Sequence, residues 1–165
     1  MAERLEDLYA ELHEPIFRFL AALTGDPDAA EELAQETFLQ AILALPRFRR
    51  ESSATTWLYA IARNLCRKHL ARNRRPPPDE PTASPFASPA EVMEVRDERA
   101  LLAQALAALP ESYREALVLR EYQELSYAEV GQLLGRSENW ARVTCFRARR
   151  MLREAYLKLE GGHAR

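Results

Sequence analysis

The sequence contains two cysteines, three histidines and five glycines in 165 residues. Cys66 and Cys145 are too far apart for paired-ligand spacing. Cys66 and His69, three apart on an expected helix, supply at most half of what tetrahedral zinc needs. A core thiol beside a solvated imidazole is the plainer reading. His13 and His163 have no acidic or cysteine partner at useful spacing, so no metal and no cofactor are expected. Scarce glycine and few β-branched runs, with abundant Ala and Leu, favour helices. No run of eighteen apolar residues is present, and no basic stretch near the N-terminus leads into an apolar one. Neither a membrane span nor a secretory signal is expected, and the cytoplasm is the expected compartment. Phosphate loops, metal-ligand clusters and nucleophile–base arrangements are missing too, which points away from an enzyme.

Charge of both signs is plentiful, and its distribution is informative. Formal net charge is only −2. Residues 1–46 carry −8, residues 47–75 carry +8, residues 76–135 carry −7 and residues 136–165 carry +5. Two separate basic blocks suggest two anionic contacts, with nucleic acid the leading candidate. The acidic blocks discourage indiscriminate binding and can meet basic protein surfaces.

The pattern predicts an all-α chain of two small helical domains, residues 1–75 and 93–165, joined by a Pro-rich linker over 76–92. Six prolines between residues 73 and 91 forbid a continuous helix through that stretch. Extended, positions 76 to 89 reach roughly 45–50 Å. In the first half, Leu5, Leu8, Leu12, Ile16 and Leu20 recur at helical spacing, with a kink or junction expected at Pro15. Asp26 fits an N-cap and Pro27 a first helical position, and Pro46 ends that helix. Leu33, Thr37, Ala41 and Ala44 form its stripe, widened by Phe38, Ile42 and Leu45. The next helix has an apolar side of Trp57, Leu58, Ile61, Ala62 and Leu65 and a cationic side of Arg63, Arg67, Arg72 and Arg75. Such a helix could also lie on an anionic membrane, but its apolar side is needed for packing on its neighbours, and no membrane insertion is expected.

In the second half, Pro110 opens a helix and Ser126 to Glu129 form a capping box. Gly135 supplies a tight turn, and Ser137 caps a last helix. Two helices around such a turn read as a helix-turn-helix. Residues 135–152 hold five arginines and one acid. Ala141, Cys145, Ala148 and Leu152 should face the core, leaving Asn139, Arg142, Val143, Phe146, Arg149, Arg150 and Arg153 outside. Arg and Asn can bond base edges, and Val or Phe can touch thymine methyls. The bland alternative is an arginine-rich helix that only meets water.

Specific motifs then become recognisable. Glu31-Glu32-Leu33, Gln35-Glu36-Thr37-Phe38 and Trp57-Leu58-Tyr59-x-Ile61-Ala62-Arg63-Asn64 resemble the second conserved region of the extracytoplasmic-function (ECF) sigma factors of bacterial RNA polymerase. Leu109-Pro110, Arg114, Leu125-Ser126, Glu129-Val130, Leu134-Gly135 and Arg147-Ala148-Arg149 resemble their fourth. The resemblance implies an alternative sigma factor that binds core polymerase and directs promoter-specific initiation. It implies contacts with the −35 element through Arg136, Ser137, Asn139, Arg142, Val143, Phe146, Arg149 and Arg150. Contacts with the −10 element would come from Arg49, Arg50, Ser52, Ser53, Trp57, Arg63, Asn64 and Arg67. Glu32, Gln35, Glu36 and Leu39 would meet the polymerase, whose clamp helices and flap are the implied docking points. An anti-sigma factor is a further implied partner. Asn139-Trp140-Ala141-Arg142 departs from the family's Gly-Thr-Val followed by a basic residue, which bears on base-by-base reading of the −35 element. A free-standing helix-turn-helix repressor is the runner-up reading, and it leaves the first basic helix unexplained.

Overall fold

The computed structural model describes residues 2–73 and 89–163. Of the tether expected over 76–92, residues 76–88, with Arg74 and Arg75 before them, lie outside the described residues. The described residues form seven α-helices and one short 3-10 turn.

The N-terminal unit packs α1 (Ala2–Thr24), α2 (Pro27–Ala44) and α3 (Ala54–Arg72) against one another. α1 continues through Pro15, so the sequence signal for a junction there is not realised. Gly25 takes the left-handed conformation, φ 69°, that turns the chain into α2. Asp26 then caps α2, its carboxylate accepting from the Asp28 amide at 3.0 Å. Pro46 lies in the 3-10 turn Leu45–Arg47 that follows α2. Ile16, Phe19, Leu20, Ala30, Leu33, Ala34, Phe38 and Ala41 are buried between these helices. Phe19 meets Tyr59 of α3 edge-on, ring centroids 5.4 Å apart.

The face α3 buries is Leu58, Tyr59, Ala62 and Cys66. It is rotated from the expected stripe, of which Trp57, Ile61 and Leu65 are only half-buried. The reason is that α3 packs on α1 and α2 on one side and on α6 of the C-terminal unit on another.

The C-terminal unit comprises α4 (Pro89–Ala107), α5 (Glu111–Glu121), α6 (Tyr127–Leu134) and α7 (Glu138–His163). α4 starts at Pro89, inside the stretch expected as tether, with proline at the first helical position where its missing N–H is harmless. Arg114 of α5 donates to the carbonyls of Leu106 at 2.9 Å, Ala107 at 3.1 Å and Leu109 at 3.0 Å. It thereby bridges carbonyls of the last turn of α4 and of the turn that follows it. α6 begins with the full Ser126–Glu129 capping box. It ends at Gly135, φ 66°, in the left-handed conformation.

α5 ties the molecule together. Glu115, Ala116, Leu117, Val118 and Leu119 are all buried, and five successive residues point to every side of a helix. One side packs on α6 and α7; another packs on α1 of the N-terminal unit. The two units therefore lie docked against each other.

Candidate nucleic-acid interface

The helix-turn-helix sets α7 so that Ala141, Cys145 and Ala148 are fully buried and Leu152 half-buried. Three small side chains in the inward row let α7 approach α5 closely, and the Cys145 thiol reaches the Ala116 carbonyl at 3.5 Å. The opposite row lies in water. Phe146 is 64% exposed and Val143 37%. Asn139, Arg142 and Arg150 are exposed around them. A phenyl ring left that open on a cationic face is a natural contact for a base or a thymine methyl.

Individual side chains on this helix divide in role. Ser137 is the N-cap, accepting from the Trp140 amide at 3.0 Å. Arg136 stacks over the Trp140 ring, 5.3 Å from its centroid. Arg142 bonds Glu138 at 3.2 Å, an exposed pair that leaves the guanidinium free to exchange partners. Arg150 has Glu154 at 3.9 Å. Arg149 differs from these: it bonds the carboxylate of Glu121 on α5 and donates to the Tyr127 hydroxyl on α6 at 3.4 Å. That Tyr127 hydrogen bond holds the guanidinium above its ordinary range and, reciprocally, lowers the tyrosine. Arg149 thus braces α7 against α5 and α6. Arg147 is exposed beside Val143 and Phe146. It belongs with the outward row that the sequence reading assigned without it, although its place one turn after Val143 carried the signal.

The second basic block surrounds the start of α3. Arg49 and Arg50 are exposed, and Arg50 has φ 56° in the turn that leads there. Ser53 caps α3, accepting from the Thr56 amide at 3.1 Å and donating to the Thr56 hydroxyl at 2.9 Å. Ser52 is half-buried, its hydroxyl donating to the Ser53 carbonyl at 3.3 Å. Trp57 stacks on Phe48 with centroids 4.7 Å apart, a half-buried aromatic wall beside the basic loop. Asn64 and Arg67 are exposed.

Arg63 is the exception. Its guanidinium bonds Glu115 of α5 at 2.6 Å, with the two side chains 18% and 4% exposed. Arg67 is 3.8 Å from Glu111. Between the units these groups line a cleft of about 270 Å³, together with Arg136 and Trp140 at the start of the helix-turn-helix. The two basic blocks expected on separate elements therefore meet. Burial pushes the Glu115 carboxyl above its usual range, against the opposing hydrogen bond from Arg63.

On α2, Glu32, Gln35, Glu36 and Leu39 are all exposed along one face. The sequence reading placed Ile42 in the core, yet it is 51% exposed, and Leu43 next to it is 72% exposed. Both continue the face begun by Glu32, the side of α2 turned away from α1 and α3, whereas Ala41 beside them is fully buried. An acidic stripe running into an open apolar end is the form expected of a protein-docking surface.

Among the described residues no helix is long and apolar enough to cross a membrane, and no group of three or more His, Cys, Asp and Glu side chains is placed to hold a metal ion.

Residues 8–76 match the Sigma-70 region 2 family and residues 99–152 the Sigma-70 region 4 family. The RNA polymerase sigma-H factor of Pseudomonas aeruginosa is 35% identical over 162 residues, covering 90% of this chain and 83% of that one. The ECF sigma factor SigM of Bacillus subtilis is 30% identical over 158 residues, covering 92% and 94%. Among solved structures, the sigma factor RpoE of Bartonella quintana in complex with the anti-sigma factor NepR superposes with a TM-score of 0.72 at 21% identity, covering 93% of this chain and 96% of that one. CnrH, solved with the cytosolic domain of CnrY, gives 0.74 at 24% identity, covering 93% and 88%. Both of those likenesses establish the shared fold. With both family models matched in order and relatives aligned along nearly the whole chain, the protein belongs to the ECF sigma factors of bacterial RNA polymerase.

Proposed function

We propose that the chain is an alternative sigma factor: it binds core RNA polymerase and directs it to promoters by contacting their −10 and −35 elements. The observation that carries this is the outward face of α7, where Asn139, Arg142, Val143, Phe146 and Arg150 stand in water on a helix whose other side is sealed into a helix-turn-helix. Residues 93–165 would be the −35 unit, with Arg136 and Ser137 at the mouth of the groove and Arg147 added to the outward row. Arg149 acts in this unit as a brace. Residues 1–75 would be the −10 and polymerase-binding unit. Arg49, Arg50, Asn64 and Arg67 supply cations for a strand backbone and Trp57 an aromatic wall for an unstacked base. Ser52 and Ser53 shape the loop and its cap. Arg63 joins that surface when the units part.

The α2 face from Glu32 through Gln35, Glu36, Leu39, Ile42 and Leu43 would dock on the polymerase clamp, and the C-terminal unit on its flap. An anti-sigma factor is a natural partner, since RpoE was solved in complex with the anti-sigma factor NepR and CnrH in complex with the cytosolic domain of CnrY. Polymerisation chemistry belongs to the partner enzyme, and the chain works in the cytoplasm where that enzyme is.

Run-off transcription from a genomic promoter pool, with core polymerase alone and with the chain added, tests the reading. New transcripts with shared upstream elements should appear only with both. Gel shifts give the contrast: sequence-specific duplex binding of equal strength without polymerase would favour the repressor. Glu36→Lys and Leu43→Asp should weaken capture of core polymerase without unfolding the chain, as exposed positions contribute little to stability.

A further inference from the structure

The ring at the start of α6 meets three arginines. The Arg120 guanidinium, from the end of α5, lies over the Tyr127 ring at 4.3 Å from its centroid. Arg142, near the start of α7, lies over the same ring at 5.5 Å. Arg149 donates to the phenol hydroxyl at 3.4 Å. Tyr127 itself is half-buried and packs against the core. Its neighbours are anchored in turn: Arg120 donates to the Leu125 carbonyl at 2.9 Å, and Arg149 bonds the Glu121 carboxylate. The ring therefore has a fixed place, and Arg142 leans on something that does not move.

Arg142 has a second support in the Glu138 carboxylate at 3.2 Å. The two supports differ in kind. Glu138 takes an N–H donor that a guanine edge would need. The aromatic face attracts the cation through its quadrupole and takes no donor. A long side chain that must freeze on binding loses affinity to lost rotamer freedom, and one already resting on a fixed ring loses less. Reading a guanine edge depends on bidentate geometry, so the orientation of the guanidinium matters there more than at a phosphate. Arg150, assigned to a phosphate, has Glu154 at 3.9 Å as its support.

We propose that Tyr127 is a positioning residue for the −35 element: its ring holds Arg142 ready for a guanine edge and so sets base preference at the position Arg142 reads. This rests on the reading of α7 as the −35 helix. The ring acts through Arg142, while the hydroxyl serves Arg149 and the brace between α6 and α7. The two tasks fall on different atoms of one side chain. Phenylalanine keeps the first and removes the second; leucine removes both.

The test uses the full chain assembled with core polymerase. The probe is a promoter recovered by run-off transcription, randomised over its −35 window, with input and bound pools sequenced. Enrichment compares sequences within one bound pool, so an unfolded fraction lowers yield without altering preference. Arg142→Ala first marks the position that Arg142 reads. There Tyr127→Leu should lower preference for the best base about two- to fivefold, with other positions unchanged. Tyr127→Phe should keep the wild-type preference. Tyr127→Gln, equally without a ring, gives the same reading if too little of the leucine chain is recovered. Wild-type preference in the ringless variants overturns the proposal. A loss in Tyr127→Phe equal to that in Tyr127→Leu overturns it too, because the hydroxyl is then responsible. So does a loss spread evenly over all positions, which is the mark of a merely structural role. If no promoter is recovered, or Arg142→Ala alters no position, the −35 reading of α7 has itself failed and the proposal falls with it.

Discussion

Gly131 offers the sharpest test of how the helix-turn-helix is held. It lies buried in α6, and a Cβ placed on it would sit 2.8 Å from the carbonyl oxygens of both Arg136 and Ser137. Carbon–oxygen contacts are comfortable from about 3.3 Å, so the turn must retreat by roughly half an ångström. The obstructing atoms are backbone, and Ser137 is the cap of α7, so the recognition helix must move with them. Gly131→Ala therefore sets two effects against each other. Alanine gains about 0.8–1 kcal/mol of helix propensity. Overpacking against a fixed turn costs about 1–3 kcal/mol. The balance is a net loss near 1 kcal/mol, about 2–4 °C in Tm for a chain of this size.

A second reading isolates the mechanism. The Arg136 amide donates to the Gly131 carbonyl at 2.7 Å, and the retreat should lengthen that bond and speed its hydrogen exchange. Gly135→Ala is the control: nothing lies within 4 Å of its Cβ, and its loss of about 1–2 kcal/mol comes from φ alone. If Gly131→Ala raised Tm by the amount propensity predicts, with Arg136 exchange unchanged, close approach would not be what demands glycine there.

Other outcomes follow from the same geometry. Arg142→Ala should lose about 1–3 kcal/mol at one base position of the −35 element, while Arg150→Ala should weaken all sequences alike and flatten the salt slope by about one; the reverse pattern in a promoter-substitution panel would refute the register of α7. Arg149→Ala should lower Tm more than it lowers affinity corrected for the folded fraction, because its bonds go to Glu121 and Tyr127; a loss confined to DNA binding would count against the brace. Arg114→Ala should destabilise the C-terminal unit by about 1–3 kcal/mol, since it strips two carbonyls at the end of α4 and that of Leu109 just after it of one shared guanidinium; thermal melts by circular dichroism check it. Burial pushes the Cys66 thiol up to about 12. The unfolded thiol ionises at lower pH, so the stability contributed is intact below the ordinary thiol range and is lost as pH rises toward about 12. Denaturation at pH 8 and at pH 10.5 should show Cys66→Ala losing less of its stability over that interval than wild type.

Much of this molecule was legible in one dimension. Asp26, the Ser126–Glu129 box, Gly135 and Ser137 each act within a turn of their own helix, where chemistry and position suffice to identify a cap. The small inward row Ala141, Cys145 and Ala148 follows from helical periodicity, and the acidic face of α2 from charge at the same spacing. The Ser53 cap was equally local, but the sequence reading assigned Ser53 only to the −10 contacts and did not read it as a cap. What only the tertiary structure decided are the residues whose partners are distant in the chain. Arg149 and Arg150 are adjacent arginines on one helix; Glu121, twenty-eight residues before Arg149, makes the first a brace. Arg63 read as a free cation until Glu115, fifty-two residues away, took it. Ile42 read as core because its spacing suits a core, and it stands in water because it lies on the side of α2 turned away from α1 and α3, while Ala41 beside it is fully buried. Periodicity records which side of a helix avoids water, a property of the segment itself. Which neighbour covers that side, and which charge meets which, is set by how the helices dock, and docking depends on shape and desolvation summed over elements that local sequence does not bring together.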